Sequence, residues 1–395
     1  MTVADAAAIG QADIVIGVVP PYFDRTRLQD GLSRLTHTPL SLRAAVIHPP
    51  LSEGAALQHD NWAFIPDPRL AQDRAALAQS IGQSFRVIFE AAEKLGVQAC
   101  AMIASDLSSV TPEWVAQLVN PIIQDGVDLV TPCYANSPYD GLINSAIVYP
   151  LVRALYGKRV RNPMGPDFGL SHKLLARMAG GLRPRLHPLV SLVAESISTE
   201  MRISQVHLGS RVYAAVDWTN VGPLVSQVLT ALFLDVERFA PWWQRARGSE
   251  RVTETGSDIL RESAAPFNPE VLIQRFQIGA RGLIEIWGTV LPPSILVTLR
   301  KLAQQNTTNF HMTDETWARI VYDYALAHRL RPANREQILR SFTPIYLGWV
   351  ASYALEIDGS SSDAIEHRLE ELCLAFETTK SYFVSRWRWP DRFNP

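Results

Sequence analysis

The run Asp13-Ile14-Val15-Ile16-Gly17-Val18-Val19, closed by Pro20-Pro21, constrains the fold of this chain most. It is apolar on both faces and rich in β-branched residues. It therefore reads as a strand buried in a parallel sheet, with the prolines leading into a loop. Helical spacing follows from Arg25 to Leu35, and Leu42 to Ile47 is a second strand stopped by Pro49-Pro50. Apolar spacing from Arg74 to Leu95 is helical, and Gly96 stands where a C′ glycine ends a helix. Ala99 to Ala104 is a third strand. Thr111-Pro112-Glu113-Trp114 opens the next helix, with Thr as cap and Pro at the first helical position. Asp128 to Pro132 is a fourth strand. Alternation of this kind implies an α/β layer on a mainly parallel sheet.

The pattern changes after about residue 215. Leu224–Phe239, Pro269–Trp287, Pro293–Gln304, Asp314–Ala327, Arg335–Tyr353 and Ser362–Trp387 all carry helical periods, and strand signals almost vanish. The expected domains are residues 1–218, α/β, and 219–395, all-helical. The polar, irregular stretch from Arg245 to Pro266 reads as a loop or linker. A length of 395 residues suits two domains, and 47% apolar content suits real cores. A net charge of -2 argues against a nucleic-acid partner, whose hold rests on clustered Lys and Arg. Cys100, Cys133 and Cys373 show neither metal spacing nor a disulfide framework, which points to a reducing compartment. No secretory pattern opens the sequence, and no apolar run reaches the roughly 20 residues a bilayer span needs. The expectation is a cytoplasmic protein without membrane insertion.

Two stretches carry a resemblance. One runs from Ala99 to Trp114, around Ala104-Ser105-Asp106. The other runs from Tyr139 to Ser171, through Asn144, Arg153, Tyr156 and Arg161 to Gly165-Pro166-Asp167-Phe168-Gly169. Both resemble the retaining glycosyltransferases typified by mannosylglycerate synthase and glucosyl-3-phosphoglycerate synthase. The resemblance implies a GT-A fold, a Rossmann-like nucleotide-diphospho-sugar transferase domain, followed by the all-helical C-terminal domain. It implies hexosyl transfer from a nucleotide sugar to a small hydroxy-acid-like acceptor. Mg²⁺ or Mn²⁺ would neutralise the leaving diphosphate, held by carboxylates at the end of a strand. A homo-oligomer is also implied.

The same resemblance exposes departures. The Asp-x-Asp position retains only its second carboxylate, Asp106, the candidate metal ligand; the plain alternative is a loop Asp capping the turn into the next helix. Tyr213 stands where the family has a metal-binding His, and a phenol is a poor ligand near neutral pH. His207 nearby is expected on the preceding strand in a structural role. Ile81, in Ser80-Ile81-Gly82, replaces a phosphate-binding Lys. Leu189 falls where the family has an Asp near the reaction centre, with Glu195 the nearby acid that could stand in. Glu53, in the loop after the second strand, could read base and ribose or simply be solvated.

The second stretch is nearly whole. Asp140, Arg161, Gly165 and Asp167 are candidates for the wall facing donor hexose and acceptor, with Asp167 accepting from sugar hydroxyls and Arg153 or Arg161 pairing with an anionic acceptor. The alternative is that Asp140, Arg153 and Arg161 form buried structural pairs that tie the helix to the sheet. Pro20 and Tyr22 match the first loop, where Tyr22 could stack on the base or belong to the core. Trp387-Arg388-Trp389-Pro390-Asp391-Arg392 reads either as a partner-binding tail or as one packed on its own domain. No catalytic residue is assigned. Two functions stay open: a transferase with altered ligands and reduced or lost activity, or a pseudoenzyme serving as scaffold, regulator or sugar-binding partner of an active homologue.

Overall fold

The structure, a computed structural model, describes residues 12–19, 25–38, 40–51, 57, 59–70, 77–104, 106–181, 188–211, 216–256, 268–330 and 333–390; within these, the side chains of 25–27, 77–81, 180, 181 and 188–190 are excepted. In chain order the elements are β1 (Ile14–Val19), α1 (Arg25–Leu35), β2 (Ala44–His48), β3 (Trp62–Pro66), α2 (Leu77–Leu95), β4 (Ala99–Ala104), α3 (Pro112–Asp125), β5 (Leu129–Tyr134), α4 (Tyr149–Tyr156), β6 (Lys158–Arg159), β7 (Phe168–Ser171), α5 (His172–Gly181), α6 (Pro188–Ser198), β8 (Ile203–Gly209), α7 (Gly222–Arg238), α8 (Ala240–Trp243), β9 (Glu250–Arg251), β10 (Thr253–Thr255), α9 (Glu270–Gly282), α10 (Ile284–Val290), α11 (Pro293–Leu302), α12 (Asp314–Leu330), α13 (Arg335–Ile357) and α14 (Ser362–Arg388). They fall into two compact units. One comprises Met1–Asn136, Val160–Tyr213 and Arg251–Ile259; the other comprises Ser137–Arg159, Ala214–Glu250 and Leu260–Pro395.

The first unit is the α/β layer. Its sheet runs β10-β8-β5-β7-β4-β1-β2-β3. All neighbours are parallel except β7, which lies antiparallel between β4 and β5. Every residue of β1 and β4 is buried, as their continuous apolar runs require. Gly17 lets α2 lie close: a Cβ there would stand 2.5 Å from Ile88 Cγ2. Trp114 and Leu118 of α3 pack into the core with Ile103 and Val130. Gly96 takes φ 61° after α2, the left-handed conformation expected of a C′ glycine.

Several expectations change in detail. Thr111 has the extended backbone of an N-cap, yet its hydroxyl makes no capping hydrogen bond. The stretch from Arg245 to Pro266 is not all loop, because β10 within it pairs with β8. Thr253, Glu254 and Thr255 are all exposed, so no apolar alternation marks them as a strand.

The second unit is helical and takes in the α4 segment. Its core is aromatic. Trp317 is fully buried and stacks on Trp349 with centroids 5.5 Å apart. The Trp317 indole N–H donates to Ala146 O at 2.8 Å. Trp287 donates likewise to Ser341 O, and the Tyr322 hydroxyl to Phe376 O. These bonds satisfy the polar edge of each buried ring. The helix expected over Pro269–Trp287 is two, α9 and α10, broken at Leu283 (φ −118°, ψ 9°). Trp387 packs edge-on against Trp243 at 5.2 Å, while Trp389 is 56% exposed. The tail is thus anchored to its own unit through Trp387; Asp391 and Arg392 lie outside the described residues. Cys100, Cys133 and Cys373 are buried and unbridged. No helix among the described residues is long and apolar enough to cross a membrane.

Candidate functional site

In the sheet, β1 has β2 on one side and β4 on the other, so the winding reverses between β1 and β4. Ligands of open α/β sheets bind beyond the carboxyl ends of strands at such a switch point. Here those ends are Val19, Ala104 and, beyond β7, Tyr134. Asp106 stands two residues beyond the end of β4 and is half-buried. Its Oδ1 accepts from the Ser108 amide at 3.2 Å and from the Ser108 hydroxyl at 2.7 Å. That is an Asx-type turn, which shapes the chain between β4 and α3.

Asp167 is fully buried immediately before β7. Its Oδ1 accepts the Ala104 amide at 3.0 Å, and its Oδ2 accepts the Tyr134 hydroxyl at 2.5 Å. Arg211 Nη1 lies 3.4 Å from the same Oδ2, in an ion pair whose side chains are 2% and 0% exposed. Arg211 is fixed in turn. Its amide donates to Asn136 Oδ1 at 2.7 Å, and Asn136 Nδ2 donates back to Arg211 O at 2.9 Å. Its guanidinium lies 5.7 Å from the Trp114 ring centroid, a cation–π contact. One buried carboxylate therefore ties the ends of β4 and β5 to the segment following β8. Sequence reasoning did not find Arg211 or Tyr134 as its partners, nor Asn136 as the residue that holds the Arg211 backbone.

The glycines flanking Asp167 have packing reasons. A Cβ on Gly165 would stand 2.5 Å from Pro132 Cγ. One on Gly169 would collide with the Leu118 carbonyl of α3. The Arg161 amide donates to Gln205 Oε1 at 2.5 Å. Glu195 is 4% exposed, and its Oε1 accepts Arg177 Nε at 2.6 Å. His207 faces the sheet edge, 3.7 Å from Glu254 Oε2. His48 ends β2 with its ring buried against Pro49 O, and that burial lowers its pKa below the usual value.

In the helical unit the Asp140 amide donates to Ser137 O at 3.0 Å, in a turn just before a π-helical segment, Asn144–Val148. π turns concentrate at functional sites, yet here the Ala146 carbonyl receives the buried Trp317 indole. Arg153 is fully buried, with Glu370 Oε2 and Glu377 Oε1 at 2.5 and 2.7 Å. Arg153 is thus paired with α14, not with the sheet as that alternative had it. Pro20, Tyr22, Glu53 and Tyr213 lie outside the described residues, as do the side chains of Ser80, Ile81 and Leu189.

No family model matches the chain, and no curated protein matches it. Solved structures of Mycobacterium tuberculosis glucosyl-3-phosphoglycerate synthase are similar to it. With phosphoglyceric acid bound, that protein has 17% identity over 60% of this chain and 84% of its own, with a TM-score of 0.41. Its complex with uridine diphosphate gives 18%, 61%, 85% and 0.39. The complex with Mn²⁺, UDP-glucose and phosphoglyceric acid gives 18%, 61%, 84% and 0.38. It is one of the proteins whose family the two sequence stretches resemble. At this distance the role of each residue rests on its own geometry.

A hard divalent cation takes several oxygen ligands. At the carboxyl end of β4, Asp167 has both oxygens engaged inside the protein, and Asp106 Oδ1 is held by Ser108. No group of three or more His, Cys, Asp or Glu among the described residues could hold a metal ion. These residues do not fit a resident cation.

Proposed function

We propose that the chain is a glycosyltransferase-type protein of the GT-A fold in which hexosyl transfer is reduced or lost. The observation that supports this most is the enclosure of Asp167 by the Ala104 amide, the Tyr134 hydroxyl and Arg211. A carboxylate with both oxygens bound and no exposed surface has nothing to offer a sugar hydroxyl. Glu195, the acid expected to stand in near the reaction centre, is likewise buried against Arg177. The ligands of this reading are a nucleotide sugar and a small hydroxy-acid-like acceptor. Asp106, Asp140, Arg161, Gly165, Pro20 and Tyr22 are the residues proposed to line their site. Mg²⁺ or Mn²⁺ would accompany the diphosphate in an active protein of this kind; Asp106, the candidate ligand, has its Oδ1 taken up by Ser108 and offers such a cation little support.

The pairing of these buried acids with Arg211 and Arg177 also favours the second reading, a pseudoenzyme that acts as scaffold, regulator or sugar-binding partner of an active homologue. Unbridged buried cysteines fit a reducing compartment such as the cytoplasm. The test is turnover. The chain is incubated with UDP-glucose or GDP-mannose, Mn²⁺ and phosphoglycerate or glycerate, beside an active glucosyl-3-phosphoglycerate synthase, and products are read by mass spectrometry. Loss of one group that stabilises developing charge costs about 10²–10³ in rate, so transfer at least about 10²-fold slower is expected. Equal turnover sinks the proposal.

A further inference from the structure

One end of the helical unit gathers arginines that have no acidic partner. α12 and α14 run side by side in the same direction: Asp314 meets Arg368 near their N-termini, and Arg329 meets Trp387 near their C-termini. Arg329 Nη1 donates to Trp387 O at 2.7 Å, and its guanidinium lies 4.3 Å from the Trp387 ring centroid. A third segment joins them. Arg388 Nε donates to Gln244 Oε1 at 2.8 Å, and Lys380 Nζ donates to Ala246 O at 2.9 Å. The segment after α8 therefore lies along the last turns of α14. Arg245, Arg247, Arg329 and Arg388 are all exposed, and none makes an ion pair with a described acid.

Acids beside this cluster are already neutralised. Glu237 pairs with Arg335, Glu250 with Lys158 and Glu377 with Arg153. Cations at helix C-termini favour the helix dipole, which accounts for Arg329 and Arg388. It does not account for Arg245 and Arg247, which follow α8 and belong to no helix. Beside the arginines stand two exposed apolar side chains, Leu330 at 43% and Trp389 at 56%. The chain as a whole carries a net charge of -2, so this excess of positive charge is local and gives the molecule a direction.

We infer that this end of the helical unit docks on a membrane surface bearing anionic phospholipid. Charge and apolar content together choose the occupant. Arginines take the lipid phosphates, while an indole and an aliphatic side chain enter the boundary between headgroups and acyl chains. A nucleic acid would satisfy the arginines but offers the aliphatic Leu330 no apolar medium. The contact is peripheral, and no helix enters the bilayer. The inference does not depend on any nucleotide-sugar chemistry.

Vesicle co-sedimentation of the full chain tests it, with phosphatidylcholine alone and with phosphatidylcholine carrying about 30% phosphatidylglycerol, a negatively charged surface. The expected result is binding to the anionic vesicles only, lost as salt rises from about 0.05 to 0.5 M. Arg245→Glu/Arg388→Glu should weaken it about tenfold or more, since each basic residue near such a surface adds to the attraction. Trp389→Ala should weaken it as well. Arg329, which holds Trp387, is left intact. Arg300→Glu, at an exposed position on α11, serves as control and leaves binding unchanged. Circular dichroism confirms that each variant is folded. No binding to anionic vesicles, equal binding to neutral ones, or binding indifferent to both Arg245→Glu/Arg388→Glu and Trp389→Ala overturns the inference. So does capture of a single-stranded oligonucleotide in preference to the vesicles.

Discussion

Asp167 Oδ1 holds the amide of Ala104, so the last residue of β4 hangs from a carboxylate that enters the sheet from β7. The Asp-x-Asp-like and Gly-x-Asp-x-Gly-like stretches therefore meet through a structural bond. Removing this carboxylate leaves Arg211 buried beside no counter-charge. Asp167→Ala is expected to cost about 3–5 kcal/mol of unfolding free energy. Asp106→Ala loses only the turn bonds to Ser108 and should cost about 1 kcal/mol. Urea denaturation of the two variants checks the ranking, and a milder effect at Asp167 than at Asp106 would contradict it.

The glycines beside Asp167 give a second prediction. Gly169→Ala should destabilise by about 1–3 kcal/mol or more, because the new methyl meets backbone of α3 that has nowhere to yield. Gly165→Ala should cost less, since the Pro132 ring can shift. Thermal melts of both variants read the difference.

Much of this was legible in the sequence. The uninterrupted apolar runs of β1 and β4 gave strands buried on both faces, and the spacing of α1 gave its helix at the same bounds. β7 was not legible. It has four residues, its neighbours in the sheet are remote in sequence, and its glycine reads as motif rather than strand. The positions of Asp106 and Asp167 were legible too. What Asp167 touches was not, since a pair formed with Arg211 far along the chain leaves no local pattern. Arg153 shows the same limit, because its acids lie on the last helix.

That last pair is testable. Glu370 and Glu377 are 40% and 20% exposed and can be solvated if Arg153 is lost, whereas Arg153 is fully buried. Arg153→Met should therefore cost less than the about 3–5 kcal/mol typical of a broken buried pair. The double variant Glu370→Gln/Glu377→Gln, which strands the cation, should cost more than Arg153→Met. Chemical denaturation at pH 7 compares them.

Asp323, on α12, predicts a pH dependence. It is 1% exposed, with the Tyr382 hydroxyl donating to both its oxygens at 2.9 and 3.0 Å and Arg386 Nε at 3.2 Å. Burial pushes its pKa up to about 7, against the pull of Arg386, Tyr382 and Arg319. The folded protein then keeps the proton where the unfolded chain has lost it, between about pH 4 and 7. The contribution of this group is full below that window and falls as pH rises through it. Asp323→Asn should flatten this part of the stability profile. Parallel profiles for the two proteins between pH 4 and 8 would contradict the assignment.

The proposed function rests on the carboxylates of the two family-like stretches serving the fold rather than donor binding. Calorimetric titration of the purified chain with UDP-glucose and GDP-mannose, with and without Mn²⁺, tests it most directly. The account predicts binding that is weak or undetectable at millimolar donor, unchanged by Mn²⁺ and unchanged by Asp106→Ala. Tight, Mn²⁺-dependent binding that Asp106→Ala abolishes would contradict it.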